Sequence, residues 1–308
     1  MSLKDTLLAL IIVSIWGFNF IIIAWGVEQM PPIWMGALRF VFVAIIGCCF
    51  IKRPNIPWQY MALYAITLCF GQFALLFSAI AYGMPAGIAS LVLQSQALFT
   101  IIFSVLFIKE VIKPSQLVAM VVAGVGLFVI GSSEQKTEMT FIGFALTIAA
   151  AIAWGTGNVV NRMINQKGYR ADIGLVVWSA WFAIIPFAVT SYFVEGPEAI
   201  MASLTNFNMM SVIVLLYLAL GASMLGYSLW SYLLAHYPAG QVAPLTLAVP
   251  VVGLVSAMLI LDEQISTDQW LGIGIVMFGL IINVKGEAVL NRMKQRRNLA
   301  KVNSSIEN

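Results

Sequence analysis

Two stretches of the 308-residue chain decide its fold: Gly83-Met84-Pro85-Ala86-Gly87-Ile88-Ala89-Ser90-Leu91-Val92-Leu93-Gln94 and, 153 residues later, His236-Tyr237-Pro238-Ala239-Gly240-Gln241-Val242-Ala243-Pro244-Leu245-Thr246-Leu247. At that shift Pro85, Ala86 and Gly87 fall on Pro238, Ala239 and Gly240, Glu110 on Glu263, Gln116 on Gln269, Gly126 on Gly279 and Leu127 on Leu280. Near the starts of the halves, Trp16-Gly17-Phe18-Asn19 answers Trp154-Gly155-Thr156-Gly157-Asn158 with one inserted residue. The chain therefore reads as two related units, residues 1–133 and 134–286, followed by a basic and then polar tail, 287–308.

Composition says what the units are. Hydrophobic residues make up 61% of the chain and charged ones 9%, against about 45–50% and about 25% in soluble domains. So much apolar surface is buried only in a bilayer, which predicts an all-α integral membrane protein. A helix needs about 20 apolar residues to cross the hydrocarbon core. Cuts at Pro, Gly and charge clusters give ten expected spans: Leu7–Gly26, Ile33–Ile51, Trp58–Tyr82, Ala86–Ile108, Ser115–Ser132, Thr140–Ile164, Ile173–Val194, Met210–Ala235, Ala239–Leu261 and Gln269–Val284. The run from Leu7 lacks a small-residue cleavage site and is kept as the first span rather than a signal peptide. Five spans per unit is an odd number, so the second unit enters the membrane in the opposite sense. Inverted repeats of this kind mark secondary transporters, with the solute held between repeats near the midplane.

Alternate connectors differ sharply in charge. Lys4, Lys52, Arg53, Lys109, Lys113, Arg162, Lys167, Arg170 and Lys285, with the basic residues of the tail, fall on one side, and Lys136 alone on the other. The positive-inside rule makes the first side cytoplasmic and places both termini there. Basic residues spread over connectors describe topology, not a nucleic-acid face. The tail is expected to be disordered and to fix orientation.

Several chemistries are disfavoured. Cys48, Cys49 and Cys69 lie in apolar runs without ligand spacing, which disfavours disulfides and structural zinc, and His236 is the one histidine, so a histidine-based metal site or catalytic triad elsewhere in the chain has no histidine to use. The chain has no phosphate-binding glycine loop, and neither an enzyme nor a cofactor or metal site is expected. None of the 13 acidic residues lies deep within a span, which argues against proton-coupled cation antiport. Phosphate-bearing cargo calls for several basic side chains, and Arg39 stands alone at depth.

The Trp-Gly-x-Asn start at Trp16, Leu38-Arg39-Phe40, the Pro-Ala-Gly openings and the Glu110 and Asp262-Glu263 span ends resemble the EamA-type branch of the drug/metabolite transporter superfamily over nearly the whole chain. Within that branch, Gln72-Phe73-Ala74, the run from Gly83 to Gln94, and Phe99-Thr100-Ile101 are similar to bacterial O-acetylserine/cysteine exporters. The resemblance implies ten helices in the bacterial inner membrane and export of amino-acid-like metabolites.

Arg39, roughly 10 Å below the outer surface, is expected either to hold a substrate carboxylate or to tie helix ends together. Gln72, Gln94 and Gln96 sit near mid-depth and bond either a solute or neighbouring helices. Gln94 and Gln96 project about 200° apart on an ideal helix, so one of the two is expected to face a cavity. Trp16, Asn19, Trp154, Asn158 and Asn161 are candidates for two gates, or for core packing. Trp178 and Trp181 are candidate aromatic walls, with Trp178 taken into the substrate set. Pro244 and Pro250 interrupt the ninth span as a hinge or a static kink. The Gly-rich fifth and tenth spans form a scaffold, and Glu110 and Glu263 make ion pairs or helix-end contacts. The expected partners are a small zwitterionic solute and the lipid bilayer, with no nucleic acid and no obligate protein partner. The expected mechanism is alternating access, by facilitated efflux or exchange. The alternatives are a broader exporter of threonine, homoserine or aromatic amino acids, and, outside transport, a membrane scaffold or sensor.

Overall fold

A computed structural model describes residues 1–133, 139–237 and 239–306, with 239, 240, 243 and 288–306 described by backbone alone. Lys136, Pro238 and the expected boundary between residues 133 and 134 involve positions outside the described residues. Among the described residues every regular element is a helix. Nine are long and apolar enough to cross a membrane: α1 Leu3–Gln29, α2 Pro32–Phe50, α3 Trp58–Ala81, α4 Ala86–Ile108, α5 Pro114–Ser132, α6 Phe141–Gln166, α7 Ile173–Val194, α8 Met209–His236 and the Thr267–Glu287 part of the last helix. Polar residues start several of them in the expected way: Ser2, Thr140, Asp172 and Asn208 each accept a backbone N–H of the first turn with their side-chain oxygen.

The expected ninth span, Ala239–Leu261, is not one continuous α-helix. Here α9 consists of an α-turn Ala239–Val242, a 3₁₀ stretch Ala243–Ala248 and an α-helix Val249–Ile260. Pro244 lies within the 3₁₀ stretch and Pro250 in the first turn after it. Each lacks the N–H that would continue an α ladder, so the break takes in Pro244 and ends just before Pro250, the two prolines singled out as a hinge. A second departure concerns the tail. The last helix, α10, runs from Thr267 to Ile306, through the segment whose polarity predicted disorder. Residues 287–306 contain no Pro or Gly, and 12 of the 20 are Ala, Leu, Arg, Lys, Glu, Met or Gln, all strong helix formers.

Helix pairs build the bundle. α5 packs on α10, α2 on α7 and α4 on α9, while α1 packs on the last part of α9 and α6 on α4. Close approach of α1 to α9 needs Gly17, where a Cβ would lie 2.6 Å from Val252 Cγ1 and 2.9 Å from the Val249 carbonyl oxygen. Gly155 plays the same part between α6 and α4, where a Cβ would lie 2.8 Å from Phe99 Cβ; Phe99 and Val252 are themselves 153 residues apart.

Polar contacts gather the connectors at two ends. At one, Tyr237 binds Ser2 and Asp5, Trp178 binds Ile51, Arg162 pairs with Glu110 and Lys113 with Glu287. At the other, Glu195 accepts the Ile33 and Trp34 amides, Asn208 binds Gln29, Glu263 accepts the Ala86 and Gly87 amides, and the Thr140 amide donates to Gly83.

Candidate functional site

Two stretches of π-helix widen the bundle where the site lies. Ala65–Gln72 interrupts α3 and Tyr217–Leu225 interrupts α8. An i→i+5 ladder shifts every following side chain around the axis, and such bulges recur at functional sites. The first carries Leu68 and Gln72 to a central cavity of about 360 Å³, and the second carries Ala222 to it. The volume lies at the lower end of the range for small-molecule sites.

Arg39 is the basic side chain in the cavity wall, and Asp172 the acidic one. Arg39 is 2% exposed, its guanidinium lies 3.9 Å from the Phe73 ring centroid, and the Phe40 and Phe77 rings are also near. Nε and Nη2 donate to Ser223 Oγ at 3.1 and 2.9 Å, while Nη1 is buried without a partner. Ser223 O–H itself donates to the Leu218 carbonyl, five residues back in the π stretch, at 2.9 Å. Among the described residues no carboxylate lies within ion-pair distance of Arg39. A lone cation so placed is expensive, and stacking on aromatic faces offsets part of that cost.

Two further buried polar atoms lack partners, Oδ1 of Asn19 and Oε1 of Gln72, on side chains that line the cavity. Asn19 is 7% and Gln72 3% exposed. Unmet acceptors of this kind are rare in folded proteins. Gln96 and Asn158, by contrast, satisfy each other. Asn158 Nδ2 donates to Gln96 Oε1 at 2.7 Å and to Thr100 Oγ1 at 3.1 Å, which bridges α6 to α4. Gln94 and Gln96 both line the cavity, although one was expected to face away. Gln94 lies in the 3₁₀ turn Leu93–Ser95 and Gln96 starts the α-helix after it, and at three residues per turn the two side chains diverge by about 120° rather than about 160°.

Trp16, Trp154 and Asn161 also line the cavity. Trp16 Nε1–H donates to the Ala222 carbonyl at 3.1 Å, and its ring packs against Tyr227 and Trp230 with centroids 5.4 and 5.5 Å away. Trp178 lies elsewhere: its indole N–H donates to the Ile51 carbonyl at 3.1 Å, and it is absent from the cavity wall. Pro244 and Pro250 flank the lining residues Thr246 and Val249 without lining it themselves. Sequence reasoning passed over Ser223, Tyr64, Tyr227 and Trp230. Aromatic residues in an apolar span carry no mark of the side they face, and Ser223 is one hydroxyl in an apolar run.

The cavity also has a direction. Its wall includes Asn161 near the end of α6, Ala171, Asp172 and Ile173 from the α6–α7 connection, and Ser231 and Leu234 near the end of α8. It thus runs from Arg39 to the end of the bundle that holds Ser2, Tyr237 and the Arg162–Glu110 pair.

Comparison with known proteins places this architecture. The EamA-like transporter family model matches residues 4–132 and 141–285. Relatives from Escherichia coli (strain K12) and Salmonella typhimurium (strain LT2), each named a probable amino-acid metabolite efflux pump, are 44% identical over 288 residues, covering 93% of this chain and 96% of the relative. An uncharacterized inner membrane transporter of E. coli K12, YedA, is 25% identical over 280 residues, covering 89% and 88%. A protein crystal structure shares the fold at 16% identity, with a TM-score of 0.61 over 92% of this chain and 97% of its own.

Proposed function

The chain belongs to the EamA-like transporter family, and from that premise we propose that it exports small amino-acid metabolites, of the cysteine and O-acetylserine kind, across the bacterial inner membrane. The observation that carries the reading is Arg39: a buried guanidinium with one unpartnered nitrogen, lining a cavity of about 360 Å³, in a chain 44% identical to relatives named as amino-acid metabolite pumps. The remaining candidate groups, Gln72, Gln94, Gln96, Trp16, Asn19, Trp154, Asn158 and Asn161, line the same space.

The topology in this reading has ten spans, with α9 crossing as a broken helix, and both termini cytoplasmic. The two units, 1–133 and 134–286, are inverted repeats. On that topology the end reached by the cavity, with Asp172 and Ser231, is the cytoplasmic end, so solute enters from inside. Rocking of the units then opens the other end, in the manner of inverted-repeat carriers. Trp16, Trp154, Trp230, Tyr64 and Tyr227 on the wall favour a second reading in which cargo extends to aromatic amino acids.

Counterflow tests the proposal. Proteoliposomes are loaded with unlabelled cysteine or O-acetylserine under reducing conditions, and uptake of labelled solute is followed. Saturable, transient accumulation dependent on the protein is expected. Its absence for every amino acid tried sinks the reading, and accumulation confined to aromatic ones moves the cargo to the second.

A further inference from the structure

Three buried polar atoms on side chains of the cavity wall are left unmet, and they differ in kind. Arg39 Nη1 is a donor; Asn19 Oδ1 and Gln72 Oε1 are acceptors. A guanidinium has no acceptor to offer, and an amide oxygen has no hydrogen to donate, so one ligand that meets all three must bring an acceptor to one place and donors to another. The α-carboxylate and α-ammonium of an amino acid do so with charges of the required sign. The positive field of Arg39 also drives an ammonium toward the amide oxygens.

Resting on the efflux reading, we propose that the solute binds in one orientation: its α-carboxylate on Arg39 Nη1, and its α-ammonium on Asn19 Oδ1 and Gln72 Oε1. Both charged groups are then obligatory, and the side chain is the part left free to vary against the aromatic wall. The cavity thus selects the free α-amino acid backbone first and the side chain second. Peptides, in which one of the two groups is an amide, and decarboxylated amines are excluded.

A ligand panel on the wild-type protein tests this without relying on a variant that folds. Counterflow of labelled cysteine is competed with unlabelled cysteine, cysteamine, which lacks the carboxylate, and 3-mercaptopropionate, which lacks the amine. Each analogue is expected to compete at least about tenfold more weakly, the least that one charge-assisted hydrogen bond is worth. Arg39→Gln is expected to erase the preference for cysteine over cysteamine, and Asn19→Ala with Gln72→Ala the preference over 3-mercaptopropionate. Equal competition by either analogue at the wild-type protein overturns the orientation while leaving export standing. Failure of cysteine counterflow itself counts against the efflux reading instead.

A different observation carries a second inference, about the two glutamates of the repeat. Their backbones match at the 153-residue shift. Lys109 and Asp262 have φ of 59° and 54°, and the Glu110 and Glu263 amides each donate at 3.3 Å to the carbonyl six residues back, on Ser104 and Ala257. Their carboxylates differ. Glu263 accepts the Ala86 and Gly87 amides at 2.5 and 3.0 Å, which ties the end of α9 to the start of α4. Glu110 pairs with Arg162 at 2.5 Å, and the cavity reaches Glu110's end of the bundle.

We infer that the two carboxylates are alternating latches. Glu263 holds its end shut in the state described. When that end opens, Glu263 releases α4, while Glu110 leaves Arg162 for the backbone amides of Ala239 and Gly240, the counterparts of Ala86 and Gly87. Spin labels at Tyr82 and Gln264 report one end, and labels at Ile112 and Gln241 the other. Glu263→Gln and Arg162→Ala are each expected to lengthen the first distance and shorten the second in reconstituted protein. Distance distributions unmoved by both substitutions, with and without cysteine, overturn the latch.

Discussion

Replacement of Ser223 by alanine tests whether the π stretch of α8 exists to hold Arg39. Ser223 Oγ is the acceptor for Nε at 3.1 Å and Nη2 at 2.9 Å. The two donors share one oxygen, so they count as a single interaction with a charged group, worth about 1.5–3 kcal/mol. Alanine leaves no oxygen there, and the guanidinium then settles over Phe73 by packing alone. At about 1.4 kcal/mol per factor of ten, placement of the guanidinium for a carboxylate weakens by roughly 10- to 150-fold. The loss belongs in KM for cysteine counterflow, with maximal flux less affected, because Ser223 itself does not line the cavity. Ser223→Cys, near in size and a weak acceptor, is expected to fall between the two. In an Arg39→Lys background the serine has no fork to orient, so Ser223→Ala is expected to add little there, which separates positioning from general damage. A wild-type KM in folded, monodisperse Ser223→Ala protein refutes this account of how Arg39 is placed.

Other outcomes follow from the same geometry. Gly126→Ala puts a Cβ 2.7 Å from Val276 N and 2.8 Å from the Gly272 carbonyl oxygen; α5 and α10 must then separate, and a loss of about 1–3 kcal/mol is expected in detergent unfolding with KM unchanged. Glu195→Gln removes the charge that accepts the Ile33 and Trp34 amides at 2.6 and 2.9 Å, and is expected to lower stability by about 1–2 kcal/mol in the same measurement. Gln96→Ala and Asn158→Ala break one bond of 2.7 Å, so their effects on stability are expected to be sub-additive in a double-mutant cycle; full additivity dissolves the α4–α6 bridge. Trp178→Phe loses the bond to Ile51 and about 1 kcal/mol of stability, and a changed KM for cysteine brings Trp178 back to the solute path.

The parts of the fold that were legible are those the bilayer itself dictates. Hydrocarbon thickness sets the length of an apolar run, and the penalty on exposed charge confines Lys and Arg to connectors, so cuts at Pro, Gly and charge recover nine helices with errors of a few residues at their ends. α9 departed because a hydropathy run says nothing of which ladder its backbone adopts. Pro244 and Pro250 did mark where the ladder changes, yet the 3₁₀ stretch Ala243–Ala248 had no separate sign. The π stretches were invisible for the same reason: Ala65–Gln72 and Tyr217–Leu225 are as apolar as ordinary α-helix.

Depth and direction explain the candidate site in the same way. Depth is readable, because Arg39, Gln72 and Asn19 are each costly at mid-membrane unless something meets them. Direction around a helix is not readable once the helix departs from 3.6 residues per turn, which is why Gln94 and Gln96 share a cavity; Trp178, on the regular helix α7, turns its indole to the Ile51 carbonyl. Arg39 joins the two. That no acidic residue lies deep in a span was plain from the sequence, so any partner for its charge had to be neutral or brought by a ligand. That Ser223 would be the neutral one was not. A serine in an apolar helix ordinarily bonds the carbonyl four residues back, whereas the π stretch turns its hydroxyl to Leu218, five back, and leaves the oxygen's lone pairs toward Arg39. One extra residue in the hydrogen-bonded turn thus converts a local backbone bond into a mount for the cavity's guanidinium, and Nη1 is left without a protein partner.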